Sequence, residues 1–321
     1  MSVWQLLLQF LLLIAGFILL IKGADFFVEG ASKIADRFGI PQIIIGLTIV
    51  AFGTSAPEAA ISISAALKGS TGIAIGNVVG SNIMNILLIL GITSCIVTLN
   101  VQKNTLWMEM PFVIVITVAL VLMGVIQKNL NVVSGIILWA FFIVFFIYLI
   151  RSAKKGNGEE KEREEKEAVG AKKSLPMWML LLLTLGGLAG IVSGSNVTVD
   201  SASKIAGFFG MSDRLIGLTI VAFGTSLPEL MTSIMAGRKG KADIAVGNII
   251  GSNIFNILFV LGTTALIHTV PYDSKFIVDG IVAAAAAVLL LICSAKGRQL
   301  KRWGGILMLV CYAGYFVYLL Q

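Results

Sequence analysis

Two carboxylates stand where apolar helices should run. Glu58 closes the word "GTSAPE" (Gly53–Glu58) and Glu229 closes "GTSLPE" (Gly224–Glu229). At a bilayer centre a carboxylate costs about 2.5–3.5 kcal/mol on insertion scales, so it persists there where something neutralises it. Each word adds two hydroxyls, Thr54 and Ser55 in the first and Thr225 and Ser226 in the second. Thr54 and Glu58 stand at i and i+4 and share one helical face. Pro57 and Pro228 lack an N–H and disrupt the preceding turn, and Gly53 and Gly224 loosen it further. The carbonyls so freed need partners in a medium without water, and a cation can supply them. Every donor is a hard oxygen and none is sulfur or imidazole. Such a set suits Na⁺, Ca²⁺ or Mg²⁺ and argues against Zn²⁺ or Cu⁺.

A second word follows each of these. "GSNIMN" sets Ser81 and Asn85 four residues apart, and "GSNIFN" does the same for Ser252 and Asn256. Small residues there suit close helix packing. The amides point to a site role, because a buried amide needs partners. If the two halves meet at their kinks, two carboxylates face hydroxyls, amides and free carbonyls. Two negative charges balance one divalent ion or two monovalent ones. An empty buried pair is unstable, so the protein should change sides only when loaded, and two cargoes then compete for one ligand set.

The elements that must position these residues are membrane helices. The chain is 57% hydrophobic and 13% charged, with a mean hydropathy of +0.96. Apolar runs of about 20 residues recur along its whole length, which predicts an all-α membrane protein and excludes a soluble domain. The alternating segments of a membrane β-barrel are absent. Ten spans are expected, at roughly 3–28, 40–66, 72–99, 105–126, 131–151, 176–200, 211–236, 243–268, 275–295 and 303–320. The first lacks a basic leader and a cleavage site and reads as a retained helix. Cys95, Cys293 and Cys311 show no paired spacing and predict neither disulfide nor thiolate metal site. No nucleotide loop occurs, and no enzymatic activity or cofactor is expected.

The halves repeat. "GLTIVAFGTSAPE" from Gly46 returns as "GLTIVAFGTSLPE" from Gly217, "GNVVGSNIMNILLILG" from Gly76 as "GNIIGSNIFNILFVLG" from Gly247, and "ASKIADRFGI" from Ala31 as "ASKIAGFFGM" from Ala202. One offset aligns all three without a gap. Residues 1–151 form the first five-helix repeat and 176–321 the second, joined by a charged linker at 152–175. Five is odd, so the second copy enters the membrane upside down. Inverted repeats place their site at the repeat interface near the midplane, as in secondary transporters. About 18 of the basic residues fall on the side holding the linker, including Lys33, Arg37, Arg151, Arg238 and Lys239, which makes that side cytoplasmic and both termini extracellular.

These words resemble the alpha-repeats of the cation/calcium antiporter superfamily, most closely its compact prokaryotic sodium/calcium exchangers, over essentially the whole chain. The resemblance implies a ten-helix fold in which spans two, three, seven and eight hold the ions and spans one and six slide across them. It implies a calcium site at Thr54, Glu58, Thr225 and Glu229. Flanking sodium sites would draw on the same four residues and on Ala51, Ser55, Ser81, Ala222, Ser226 and Ser252, beside Asn85 and Asn256. It further implies electrogenic Na⁺/Ca²⁺ antiport by a plasma-membrane protein, with Ca²⁺ extruded and the monomer as working unit. Lipid and the two ions are the expected partners, and nucleic acid is not. Potassium-dependent relatives carry Asp where this chain has Asn256, which weakens a potassium role. Proton-coupled relatives tend to carry Gly-Asn in place of Gly-Thr-Ser, which favours sodium. A Ca²⁺/H⁺ exchanger of the same fold, and a cation channel, are the rival readings. Asp25 and Glu29, offset-paired with Asn196 and Asp200 on the sliding spans, would line an ion entrance or cap a helix end near water, and the second reading is preferred. Glu109 and His268 are expected near the membrane interface.

Overall fold

The computed structural model describes residues 3–167, 175–211 and 222–319, with the backbone alone at Val3, at 154–167 and at Ala222. Helix α1 (Val3–Phe38) leads into α2 (Gln42–Thr54) and α3 (Ala56–Leu67). Then come α4 (Thr71–Ile96), α5 (Thr105–Gln127) and α6 (Val132–Glu167). The second half has α7 (Met177–Phe208), α8 (Ala222–Thr225), α9 (Leu227–Arg238), α10 (Ala242–Ile267), α11 (Ser274–Ala295) and α12 (Arg302–Leu319). Among the described residues eight helices are long and apolar enough to cross a membrane, nine if α2 and α3 count as one bent span. The start of the expected seventh span, at 212–221, lies outside the described residues, as do 168–174 of the expected linker. The described first part of that segment continues α6 as helix.

The spans differ in how deeply they sit. The most apolar stretch of α10 is 94% buried and that of α4 67%, against 22% for α1 and 28% for α7. The two helices that carry the "GSN" words are therefore the centre, and α1 and α7 lie outside it. Their outer faces carry large exposed apolar side chains, among them Leu11, Ile14, Ile18, Leu182 and Leu185. A helix satisfies its own backbone groups, so such a face is stable against lipid tails. The result is an all-α, multi-pass membrane protein built from two inverted repeats.

Glycine holds α1 and α7 together. A Cβ on Gly23 would stand 2.6 Å from the Ile191 nitrogen, and one on Gly194 would stand 2.6 Å from that of Leu20. Gly16 meets Thr198 and Gly30 meets Thr184, so the helices run antiparallel with backbones nearly touching. Small residues allow this approach, and dispersion along the seam is what binds helices in lipid. Valine at Gly23 is expected to cost about 1–3 kcal/mol through overpacking against backbone that cannot yield. Thermal unfolding in detergent measures it, and G186V is the control, since nothing stands within 4 Å of a Cβ there.

Two short strand pairs tie the halves at the bundle ends. Leu99 and Asn100 pair antiparallel with Leu300 and Gln299, and Asn129 and Leu130 with Pro271 and Val270. Each pair takes one strand from each repeat.

Two expectations need correction. Spans one and six run ten and eight residues further than expected, to Phe38 and Phe208. Asp25 and Glu29 therefore sit within α1 and cap nothing; they pair sideways with Lys239 and Lys33. Glu109 stands near the start of α5 and is buried in protein, where the Tyr148 hydroxyl donates to its Oε1 at 2.6 Å. His268 directly follows α10 and is exposed.

Candidate cation site

The repeated proline words form helix breaks. The axis turns by 51° between α2 and α3, and Ser55 at the break has φ −84° and ψ 5°. Pro57 then falls in the first turn of α3, where its missing N–H costs nothing. Glu58 falls in that same turn, where the helix dipole favours a negative charge. The second half repeats this: Ser226 (φ −94°, ψ 3°) precedes α9, with Pro228 and Glu229 in its first turn. Ser55 and Ser226 occupy N-cap positions, yet neither side chain caps its own helix.

Their hydroxyls instead cross to the other repeat. Ser55 Oγ donates to Glu229 Oε1 at 2.8 Å, and Ser226 Oγ to Glu58 Oε1 at 3.4 Å. Both carboxylates are 1% exposed, so neither has water to neutralise it. Thr54 Oγ1 donates to Asn248 Oδ1 at 3.0 Å and lies within reach of the Val50 and Ala51 carbonyls. Ser252 Oγ reaches the Ala51 carbonyl at 3.4 Å, which brings the residues just before the first word onto α10. Thr225 ends α8 and is partly buried, while of Ala222 only the helical backbone is described. Ser81 is buried on α4.

A set of amides that the spacing arguments passed over builds the rest. Asn248 Nδ2 donates to the Glu229 carbonyl (3.3 Å) and to Ser233 Oγ (3.0 Å). Asn77 treats the Glu58 carbonyl (3.2 Å) and Ser62 Oγ (2.9 Å) in the same way. At the centre Asn82 and Asn253, 171 residues apart, each donate to the other's backbone carbonyl at 3.2 Å. Asn85 Nδ2 then donates to Asn253 Oδ1 (3.0 Å) and Asn256 Nδ2 to Asn82 Oδ1 (3.2 Å). This clasp joins the halves along the pseudo-twofold axis. It also begins a wide π-helical turn in each helix, at Asn85–Leu90 and Asn256–Leu261, a distortion frequent at functional sites. Alanine at Asn253 would strand the Asn85 amide in a dry interior, while the Asn82 carbonyl keeps the Asn85 backbone N–H. The expected loss is about 1–3 kcal/mol of stability for the orphaned group, read as a lowered thermal midpoint of the purified protein.

The hydrogen bonds of these glutamates and amides leave four acceptors over. Glu58 Oε2, Glu229 Oε2, Asn85 Oδ1 and Asn256 Oδ1 are buried and have no partner. Buried acceptors without donors are costly, and a positive ion satisfies them. The expected freeing of carbonyls at the prolines needs one amendment. Pro228 cannot donate to the Gly224 carbonyl, but Ser195 Oγ of α7 does so at 2.8 Å, so a side chain takes that role. Among the described residues no group of three or more His, Cys, Asp or Glu comes together. The set is two carboxylates with neutral oxygens, which suits an ion that must also leave.

A helical bundle of two inverted repeats, with a dry carboxylate pair where the repeats meet, defines the class of secondary transporters. The family model described as "Sodium/calcium exchanger protein" matches residues 8–151 and 179–321, and the chain belongs to that family. It is 31% identical to the sodium/calcium exchanger MaX1 of Methanosarcina acetivorans, over 97% of this chain and 98% of that one. It is 35% identical to the inner membrane protein YrbG of Escherichia coli K12, over 98% and 96%. The solved structure of the sodium-calcium exchanger NCX_Mj soaked with zero Na⁺ and Ca²⁺ superposes with a TM-score of 0.83 at 34% identity, covering 98% of this chain and 99% of that one.

Proposed function

We propose that this protein exchanges Na⁺ for Ca²⁺ by alternating access. The observation that carries this reading is the group of four buried, unpartnered oxygens on Glu58, Glu229, Asn85 and Asn256. Ca²⁺ binds between the carboxylates of Glu58 and Glu229 with the Thr54 and Thr225 oxygens. Na⁺ takes the same four residues and extends to flanking positions at Ala51, Ser55, Ser81, Asn85, Ala222, Ser226, Ser252 and Asn256. The serine hydroxyls that now donate to the carboxylates still have lone pairs to offer an ion. The likeness to MaX1 and NCX_Mj, both sodium/calcium exchangers, supports the choice of ions.

One Ca²⁺ cancels the two carboxylate charges, and more than two Na⁺ overshoot them. Exchange at more than two Na⁺ per Ca²⁺ then moves net charge, about 2.3 kcal/mol per elementary charge per 100 mV. The basic-rich side faces the cytoplasm, an inward sodium gradient drives Ca²⁺ out across the cell membrane, and one chain suffices. Proteoliposomes loaded with Na⁺ and diluted into Na⁺-free Ca²⁺ are expected to accumulate Ca²⁺. Accumulation under a pH gradient without Na⁺ would favour proton coupling, and Ca²⁺ flux without a counter-ion would favour a channel.

A further inference from the structure

Among the described residues, the α1–α7 pair is fastened to the rest of the bundle by charge at one end only. Lys239, just beyond α9, sends Nζ to Asp25 Oδ1 at 2.8 Å, to the Asp25 carbonyl at 2.8 Å and to Glu29 Oε2 at 3.3 Å. Lys33 holds the other Glu29 oxygen at 2.6 Å. Asp25, Glu29 and Lys33 lie on α1, so Lys239 is the link from the glycine-seamed pair to the helix that carries Glu229.

The 171-residue offset maps this cluster onto a second set. Lys239 corresponds to Lys68, just beyond α3; Glu29 to Asp200 and Lys33 to Lys204, both on α7; and Asp25 to Asn196. Lys68, Asn196, Asp200 and Lys204 are all exposed, and every ion pair among the described residues belongs to the first set. One of two equivalent latches is closed and its counterpart is open.

We infer that Lys239 and Lys68 are the positioning residues of alternate access, each latching the α1–α7 pair to one end of the ion-binding bundle. This rests on the alternating-access reading above. Because backbone contact along the glycine seam makes α1 and α7 move together, the shift that carries α7 to Lys68 takes α1 from Lys239. The two latches therefore exclude each other. They are also unequal. Asn196 supplies no charge where Asp25 does, so the Lys239 end holds more tightly and the present arrangement is the favoured one.

Distances between spin labels at L67C and S193C, on a background without Cys95, Cys293 and Cys311, read the state in which α7 meets α3. Both K239Q and N196D are expected to raise the short-distance population about three- to tenfold, the range that one or two part-exposed ion pairs can shift. Adding K68Q to N196D is expected to cancel that gain. A structural role alone would not make K239Q and K68Q act in opposite directions. Populations that stay within twofold of the parent in K239Q and N196D, or a K68Q that fails to reverse N196D, would overturn the proposal. The readout needs no transport, so failure of Na⁺/Ca²⁺ exchange in wild-type vesicles remains a separate result.

Discussion

Replacing Glu58 by Gln is expected to lower sodium-driven Ca²⁺ uptake by about 10²–10³-fold, and Glu229 by Gln to do the same. Each carboxylate is buried, each accepts a serine hydroxyl from the opposite repeat, and each keeps one oxygen without a partner. Removing one member of a buried charge set costs about 3–5 kcal/mol, and each 1.4 kcal/mol is tenfold. The amide also has the wrong chemistry, because its N–H₂ presents donors where the ion needs oxygen. The folded protein responds the other way. Neutral Gln is easier to bury than an unpaired carboxylate, so the ion-free variants are expected to unfold at or above the wild-type midpoint. They should also lose the rise in midpoint that Ca²⁺ gives by mass action. Thermal unfolding with and without Ca²⁺ separates loss of the site from loss of the fold. A variant that transports normally would remove its glutamate from the site.

The second large effect is expected at Asn248, which no spacing argument singled out. Its amide accepts from Thr54 and donates to both the Glu229 carbonyl and Ser233, so it fixes one residue of the proposed site from each repeat. Alanine there leaves three polar groups to reorganise in an interior where Asn248 itself is fully buried. Loss of one or two buried hydrogen bonds, at about 1–3 kcal/mol for each group left unsatisfied, corresponds to a roughly 10–100-fold weaker apparent Ca²⁺ affinity. Asn77, its repeat partner, is only partly buried, and N77A should cost less. Ca²⁺ dependence of uptake in the two variants checks both the size and the order of these effects.

Residue type and repetition made much of this site legible. Carboxylates in apolar spans need neutralising, and a duplicated word marks both halves of a shared pocket. Glu58, Glu229, Ser55 and Ser226 meet across the repeat interface as that logic requires. The amide clasp was not legible in the same way. Asn82 follows Ser81 by one residue, about 100° round the helix, so the i, i+4 spacing that paired Ser81 with Asn85 did not include it. Its partner, Asn253, comes from the other repeat, and a contact on a symmetry axis leaves no mark in local spacing. The available signal was the repetition of the whole "GN…GSN" phrase, which carries two further amides into each apolar span. Helix ends failed for a different reason. Asp25, Glu29 and Lys33 read as residues near water, but Lys239 lies beside them and lets α1 continue to Phe38.

The central claim is that Glu58 and Glu229 form one charge-balanced site that Ca²⁺ and Na⁺ share. Calorimetric titration of Ca²⁺ into the purified protein at stepped Na⁺ concentrations tests it directly. One Ca²⁺ per chain is expected, displaced by Na⁺ with a dependence steeper than first power, with binding lost in E58Q and E229Q alike. Two Ca²⁺ per chain, or a full-affinity site surviving in either variant, would contradict it.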